Sequence, residues 1–340
     1  MDTLLPFGPG AETPTVRDVA KLVKEGGVAS LADAEQRADQ ARYQEVVCRS
    51  ALNAVKGMPF RWTLNPYRGC THGCHYCFAR RYHVQFELNT DDEFASVILV
   101  KRNFVEVLER ELDRPRWQRE HVAFGTATDP YQPIEGHYQL TRRAIEVLAR
   151  GRTPISLITK GPMVVRDIDV LLELSRSAGS TVYMSVPTVD EDAWRTLEPG
   201  TAHPLQRLRA VKALAKAGVE VGVLMAPIVP GFSSSWTKVE RTLKAIAEHG
   251  ARFVGCNVMH LEDGTRTHFM GFIRREFPNL LPRFERLYAR KYAPEAYRRE
   301  VRAMVGVLQR RYGLDARDGD PKTAGQETDS SCPEQVGFAW

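Results

Sequence analysis

No stretch of this chain runs to the 18 or so consecutive apolar residues that a membrane-spanning helix requires. The opening MDTLLPFGPGAETPTVRDVA also lacks the basic start and apolar core of a secretory signal, so a cytoplasmic location with no membrane partner is expected. Cysteine is scarce. Six in 340 residues are too few to staple a chain of this length, and three of them fall within eight positions, where mutual disulfides would be awkward. Metal binding explains that crowding better. An excess of one charge is lacking too: 47 Lys and Arg against 42 Asp and Glu leave a formal +5, with both signs interspersed. The most basic stretch, 283–311, includes Arg286, Arg290, Lys291, Arg298, Arg299, Arg302, Arg310 and Arg311. A solvated helix face is weighed there against a nucleic-acid surface.

What is present suits a globular protein. Hydrophobic residues at 43% and charged residues at 26% are ordinary for soluble domains, and the length suits one catalytic domain between tails. Residues 1–45 open with Gly and Pro and then turn polar and Ala-rich (SLADAEQRADQARYQE), which predicts a partly disordered leader followed by a surface helix. A core domain is expected over 46–290 and a helical extension over 291–314. The polar, Gly- and Pro-containing 315–340, with Cys332 incidental, is predicted to be disordered.

Between the tails, short β-branched runs alternate with stretches of helical period. Strands are predicted near 63–67 and at 122–125, 155–159, 181–186, 219–225 and 252–258. Helices are predicted from Leu140, Ala144 and Leu148 before Gly151, and from Ile168, Leu171 and Leu172 before Gly179. Two more follow from Leu205, Leu208, Val211 and Leu214 before Gly218, and from Trp236, Val239, Leu243 and Ile246 before Gly250. Repeated βα order calls for parallel strands with right-handed crossovers. Six units favour an α/β partial (β/α)6 barrel over an open doubly wound sheet. Either places chemistry at the carboxyl ends of the strands.

Directly after the first predicted strand comes Asn65-Pro66-Tyr67-Arg68-Gly69-Cys70-Thr71-His72-Gly73-Cys74-His75-Tyr76-Cys77-Phe78-Ala79-Arg80, a C-x3-C-x2-C spacing where a site belongs. Thiolates are soft ligands suited to iron-sulfur clusters and zinc. Three of them would leave the fourth iron of a 4Fe-4S cluster open to a small molecule. A structural zinc site completed by His72, His75 or His83 is the alternative.

The motif, with an aromatic Tyr76 before the third cysteine, resembles that of the radical S-adenosylmethionine (SAM) superfamily. The flanks NPYRGC and CHYCFAR resemble more narrowly the spore photoproduct lyase-like (DNA repair photolyase-like) branch, over about 51–290. The resemblance implies a 4Fe-4S cluster on Cys70, Cys74 and Cys77, SAM on the open iron, and a flavodoxin- or ferredoxin-type electron donor. It also implies reductive cleavage of SAM to a 5'-deoxyadenosyl radical that takes hydrogen from substrate, while the protein excludes water. By the same resemblance Thr128 and Asp129 meet the SAM amino group, Lys160 pairs with its carboxylate, Ser185 hydrogen-bonds it, and Tyr76 and Phe78 seat adenine. A helix-entry cap is the plainer role for Asp129.

His260, Glu262 and Arg266, after the last strand, either touch substrate or cap the next helix. The resemblance implies that the lyase cysteine that returns hydrogen to product corresponds to Ala127, whose methyl side chain cannot donate that hydrogen. Cys256 is the candidate catalytic thiol, provided it faces inward. The substrate is open, with nucleic acid one candidate. A non-catalytic zinc or iron-sulfur nucleic-acid-binding module is the competing class.

Overall fold

The computed structural model describes residues 41–84 and 93–314 continuously, together with 13–15, 17–19, 21, 25 and 35–36. The strands in chain order are β1 (Glu35–Gln36), β2 (Arg42–Val46), β3 (Leu52–Ala54), β4 (Trp62–Leu64), β5 (Tyr67–Arg68) and β6 (Val97–Lys101). They continue with β7 (Val122–Phe124), β8 (Ile155–Thr159), β9 (Ser180–Ser185), β10 (Val221–Ile228) and β11 (Val254–Val258).

Seven strands form the main sheet in the order β11-β10-β9-β8-β7-β4-β3. From β4 through β11 every neighbouring pair is parallel, and β3 is added antiparallel at the edge. The six predicted strands are thus the six parallel ones, and the result is a partial barrel flanked by helices. The helices Leu140–Arg150, Ile168–Ser177, Pro204–Ala217 and Trp236–Glu248 are the four predicted crossovers.

Strand register decides which side chains meet the helices. Leu64, Phe124, Leu157, Val182 and Val221 lie opposite one another across five strands, and Thr159, Met184, Val223 and Val254 form the next row. Ser180, on that same face, donates to the Leu171 carbonyl of the helix Ile168–Ser177 at 3.0 Å, so this is the helix-covered face. Ser156, Ile158, Tyr183, Ser185 and Leu224 point the other way, into the concave side. Burying each large apolar side chain under the helices contributes roughly 1.5–3 kcal/mol.

Two residues of the predicted helix stripes are displaced. Leu205 is 40% exposed, and the buried stripe of its helix is Pro204, Arg207, Leu208, Val211 and Leu214, with an arginine inside it. Trp236 is likewise exposed, while Val239, Leu243 and Ile246 are buried as expected.

The polar stretch predicted as a surface helix is instead partly strand. β2 pairs in parallel with β6 over five residues, and β1 pairs with β2. The second sheet, ordered β1-β2-β6-β5, went unpredicted, although Val97-Ile98-Leu99-Val100 is the fully buried apolar run a central strand needs. Pairing with β6 overrides the local helix propensity of the Ala-rich segment. This sheet positions the site, because β5 leads straight into the first cysteine.

At the other end come the helix Leu281–Leu287, within the span given to the core domain, and the helix Glu295–Arg311, within the span given to the extension. The second packs on β11, where Gln309 donates to the Val254 carbonyl at 2.8 Å. The tail predicted to be disordered, 315–340 with Cys332, lies outside the described residues, as does most of 1–40. No helix among the described residues is long and apolar enough to cross a membrane.

Candidate functional site

The cysteine loop begins at Gly69, whose φ of +77° and lack of a side chain let it pass close to β6; a Cβ there would sit 2.5 Å from the Val97 carbonyl oxygen. Backbone contacts then fix the loop from several sides. Cys70 N–H donates to the Phe94 carbonyl at 2.9 Å, His75 N–H to Leu197 at 3.0 Å, and Gly200 N–H to His72 at 3.1 Å. Arg80, fully buried and over the Phe94 ring, turns back to donate to the carbonyls of Gly73 (2.7 Å) and Cys74 (3.1 Å). The Thr265 hydroxyl caps the Cys77 carbonyl at 3.1 Å. Cys70 and Cys74 are buried and Cys77 is half-buried.

The loop after β7 is built around the cysteine loop. Asn65 accepts the Ala127 N–H at 2.8 Å, and the Thr128 hydroxyl donates to the Gly69 carbonyl at 2.6 Å while accepting from Gln132. Asp129 accepts from Tyr131 N–H (2.8 Å), the Thr159 hydroxyl (2.6 Å) and Lys160 N–H (2.6 Å), and lies 3.3 Å from His72 Nδ1. Burial alone would raise the Asp129 pKa, but His72 and these donors hold it down at about 2. The carboxylate therefore ties β8 to the cysteine loop and closes the turn at Tyr131.

Lys160, Ser185 and Tyr76 meet at the carboxyl ends of β8 and β9. Lys160 Nζ donates to the Ser185 hydroxyl at 2.9 Å and lies over the Tyr76 ring. Burial opposes the ammonium's charge, yet Cys74 and then Glu198 keep its pKa above the ordinary lysine value. Tyr76 is buried with its hydroxyl bonded to Glu198, and Glu198 pairs with the fully buried Arg207 at 2.7 Å. Phe78 differs, with an exposed ring at the rim, edge-on to Tyr82.

Glu198, Arg207, Gln132 and Arg80 were not singled out from sequence, and His72 was named only as a zinc ligand. Only Arg207 carried a signal, as a charged residue at a core position of its helix. His75, also in the motif, stacks on Phe272 and brings its Nδ1 to 3.0 Å from His268 Nε2. Burial and the neighbouring His268 push it down to about 3.

Cys256 faces the wrong way for a donor to the concave side. Register places it opposite Met225 on the helix-covered face, where it packs against the core; burial raises its thiol to about 11, with Arg302 of the terminal helix nearby. The inward orientation its candidacy required is not met. His260, Glu262 and Arg266 brace the segment after β11. His260 bridges to Tyr292, Glu262 pairs with Arg81 and Lys291, and Arg266 donates to the Tyr288 carbonyl.

All three motif thiols are free of disulfides. Burial raises the Cys74 and Cys77 thiols, with Glu198 and the neighbouring cysteines adding to the first and Cys70 to the second. Among the described residues no group of three or more His, Cys, Asp or Glu side chains is placed to hold a metal ion. In a cluster each cysteine takes a separate iron, so the sulfurs need not meet at a point. His72 and His75 are engaged with Asp129 and His268, and the His83 side chain lies outside the described residues.

Comparison with known proteins agrees with this layout. The family model described as the Radical SAM superfamily matches residues 64–246. An uncharacterized protein of Mycobacterium tuberculosis is 39% identical over 297 residues, covering 86% of each chain. Among solved structures, a mutant of spore photoproduct lyase aligns with a TM-score of 0.62 at 15% identity, over 81% of this chain and 80% of that one. A second mutant of that lyase, with bound AdoMet and dinucleoside spore photoproduct, aligns equally well at 14% identity and the same coverage.

Proposed function

The chain belongs to the radical SAM superfamily, and from that premise we propose that it holds a 4Fe-4S cluster on Cys70, Cys74 and Cys77 and uses it to cleave SAM reductively. The observation that carries this reading is the meeting of a half-buried ammonium, Lys160, and a buried hydroxyl, Ser185, beside Cys74 at the strand ends. When bound, the cluster supplies the electron that splits the sulfonium bond and releases a 5'-deoxyadenosyl radical able to take hydrogen from substrate.

The chain's own groups do the holding. Lys160 pairs with the SAM carboxylate and Ser185 hydrogen-bonds to it. Thr128 and Asp129 keep the adjoining loop against Gly69 and His72, and the SAM amino group lies along this segment. Tyr76 backs the adenine end from inside and Phe78 from the rim. A flavodoxin- or ferredoxin-type protein supplies the electron.

Nucleic acid is the substrate class we favour. Lys291, Arg298, Arg302 and Arg311 are paired with Glu262, Glu295 and Glu240, but Arg286, Arg290, Arg299 and Arg310 stand exposed along the basic stretch 283–311. Lesion reversal by the lyase's own route is not proposed, because Ala127 has no thiol and Cys256 faces the helices. The test is anaerobic reconstitution, reduction with dithionite and assay for 5'-deoxyadenosine. A fully loaded, reducible cluster that yields none refutes the reading.

A further inference from the structure

Glu198 directly follows the helix Glu191–Leu197, and both it and Arg207 are almost wholly removed from water. One carboxylate oxygen takes Arg207 Nη2 at 2.7 Å; the other takes the Tyr76 hydroxyl and faces Lys160 Nζ at 3.7 Å. Arg207 also donates to the Ser185 carbonyl at 3.0 Å, while Lys160 donates to the Ser185 hydroxyl. Two cations and one anion therefore meet against the cysteine loop, with Glu198 and Arg207 closed to water and Lys160 half-buried. Such buried ion clusters are poor stabilisers, because desolvation offsets their attraction and apolar replacements often do as well. Stability alone does not account for this one.

Its connections suggest another role. Through one carboxylate, Glu198 touches the cysteine loop at Tyr76, the end of β8 at Lys160 and, by way of Arg207, the end of β9 at Ser185. A lysine side chain on its own swings on four carbons, and a fixed anion beside its tip restricts that motion. We propose that Glu198 is a positioning residue: it fixes the Lys160 ammonium relative to the cysteine loop and so makes binding selective for ligands with an α-carboxylate. This rests on the reading above that Lys160 receives the SAM carboxylate.

The test compares cluster-loaded wild type and Glu198→Gln for equilibrium binding of SAM and of 5'-methylthioadenosine, which keeps the nucleoside and sulfur but lacks the amino-acid portion. The expected result is retained cluster absorbance, SAM affinity reduced about tenfold or more, and methylthioadenosine affinity within about twofold of wild type. Added to Lys160→Ala, the change should weaken SAM binding little further, since both act through one contact. Equal weakening of both ligands, or no weakening of SAM, overturns the proposal. If Glu198→Gln does not fold, Glu198→Asp carries the same test: a smaller loss confined to SAM supports the proposal, and unchanged selectivity overturns it. Wild type that binds SAM no better than methylthioadenosine refutes the underlying assignment of Lys160, and this proposal with it, whatever the variants do.

Discussion

The imidazole of His72 stands 3.3 Å from the carboxylate of Asp129, both nearly closed to solvent, and this contact joins the cysteine loop to the loop after β7. Burial works against charge on His72, but Cys70 and Asp129 overcome it and hold the ring's pKa up at about 10, against 6.5 for a free histidine. A group raised on folding contributes stability fully below its unfolded pKa and loses it as pH climbs to the folded value. In metal-free, reduced protein, the gap in denaturant midpoint between wild type and His72→Gln should be widest near about pH 6 and close towards about pH 10. A gap that stays constant across this range contradicts the assignment.

Gly200 presses on the cysteine loop from the far side. A Cβ there would sit 2.2 Å from the Thr71 carbonyl oxygen, against backbone that cannot easily yield. Gly200→Ala is expected to lower the iron bound per chain after reconstitution, with the circular dichroism of the barrel preserved. Full iron loading would show that the loop tolerates displacement.

Much of this was legible in the sequence because it is local. The six strands, their crossover helices and the three cysteines each announce themselves within a window of ten or so residues. The cluster of Tyr76, Lys160, Ser185, Glu198 and Arg207 does not, since its members come together only through sheet order. Arg207 is the instructive case: at 3.6 residues per turn it falls in the stripe of Pro204, Leu208, Val211 and Leu214, where an arginine requires a buried partner. The small sheet was missed because the strand character of 42–46 comes from pairing with β6, not from composition.

That stripe makes a paired prediction. Arg207→Met leaves the Glu198 carboxylate buried without its main partner, and a loss of about 3–5 kcal/mol is expected in chemical denaturation. Leu205→Gln, two positions away on the exposed face, should change stability by no more than about 0.5 kcal/mol. Equal effects would mean the helix face is misassigned.

The cysteines divide by role. Replacing Cys70, Cys74 or Cys77 singly with Ala should abolish the brown absorbance of the reconstituted cluster and 5'-deoxyadenosine formation together. Cys48→Ser and Cys256→Ala should preserve both, Cys48 lying in the core and Cys256 against the helices. Turnover that survives Cys74→Ala would show the ligands to be misassigned.

The most direct measurement is electron-nuclear double resonance on the reduced, cluster-loaded protein mixed with SAM labelled with 17O in its carboxylate and 15N in its amino group. Hyperfine coupling from both labels is expected, because three cysteines leave one iron for the amino-acid end of SAM. Bound SAM with no coupling from either label, or a fourth protein atom on that iron, would contradict the account.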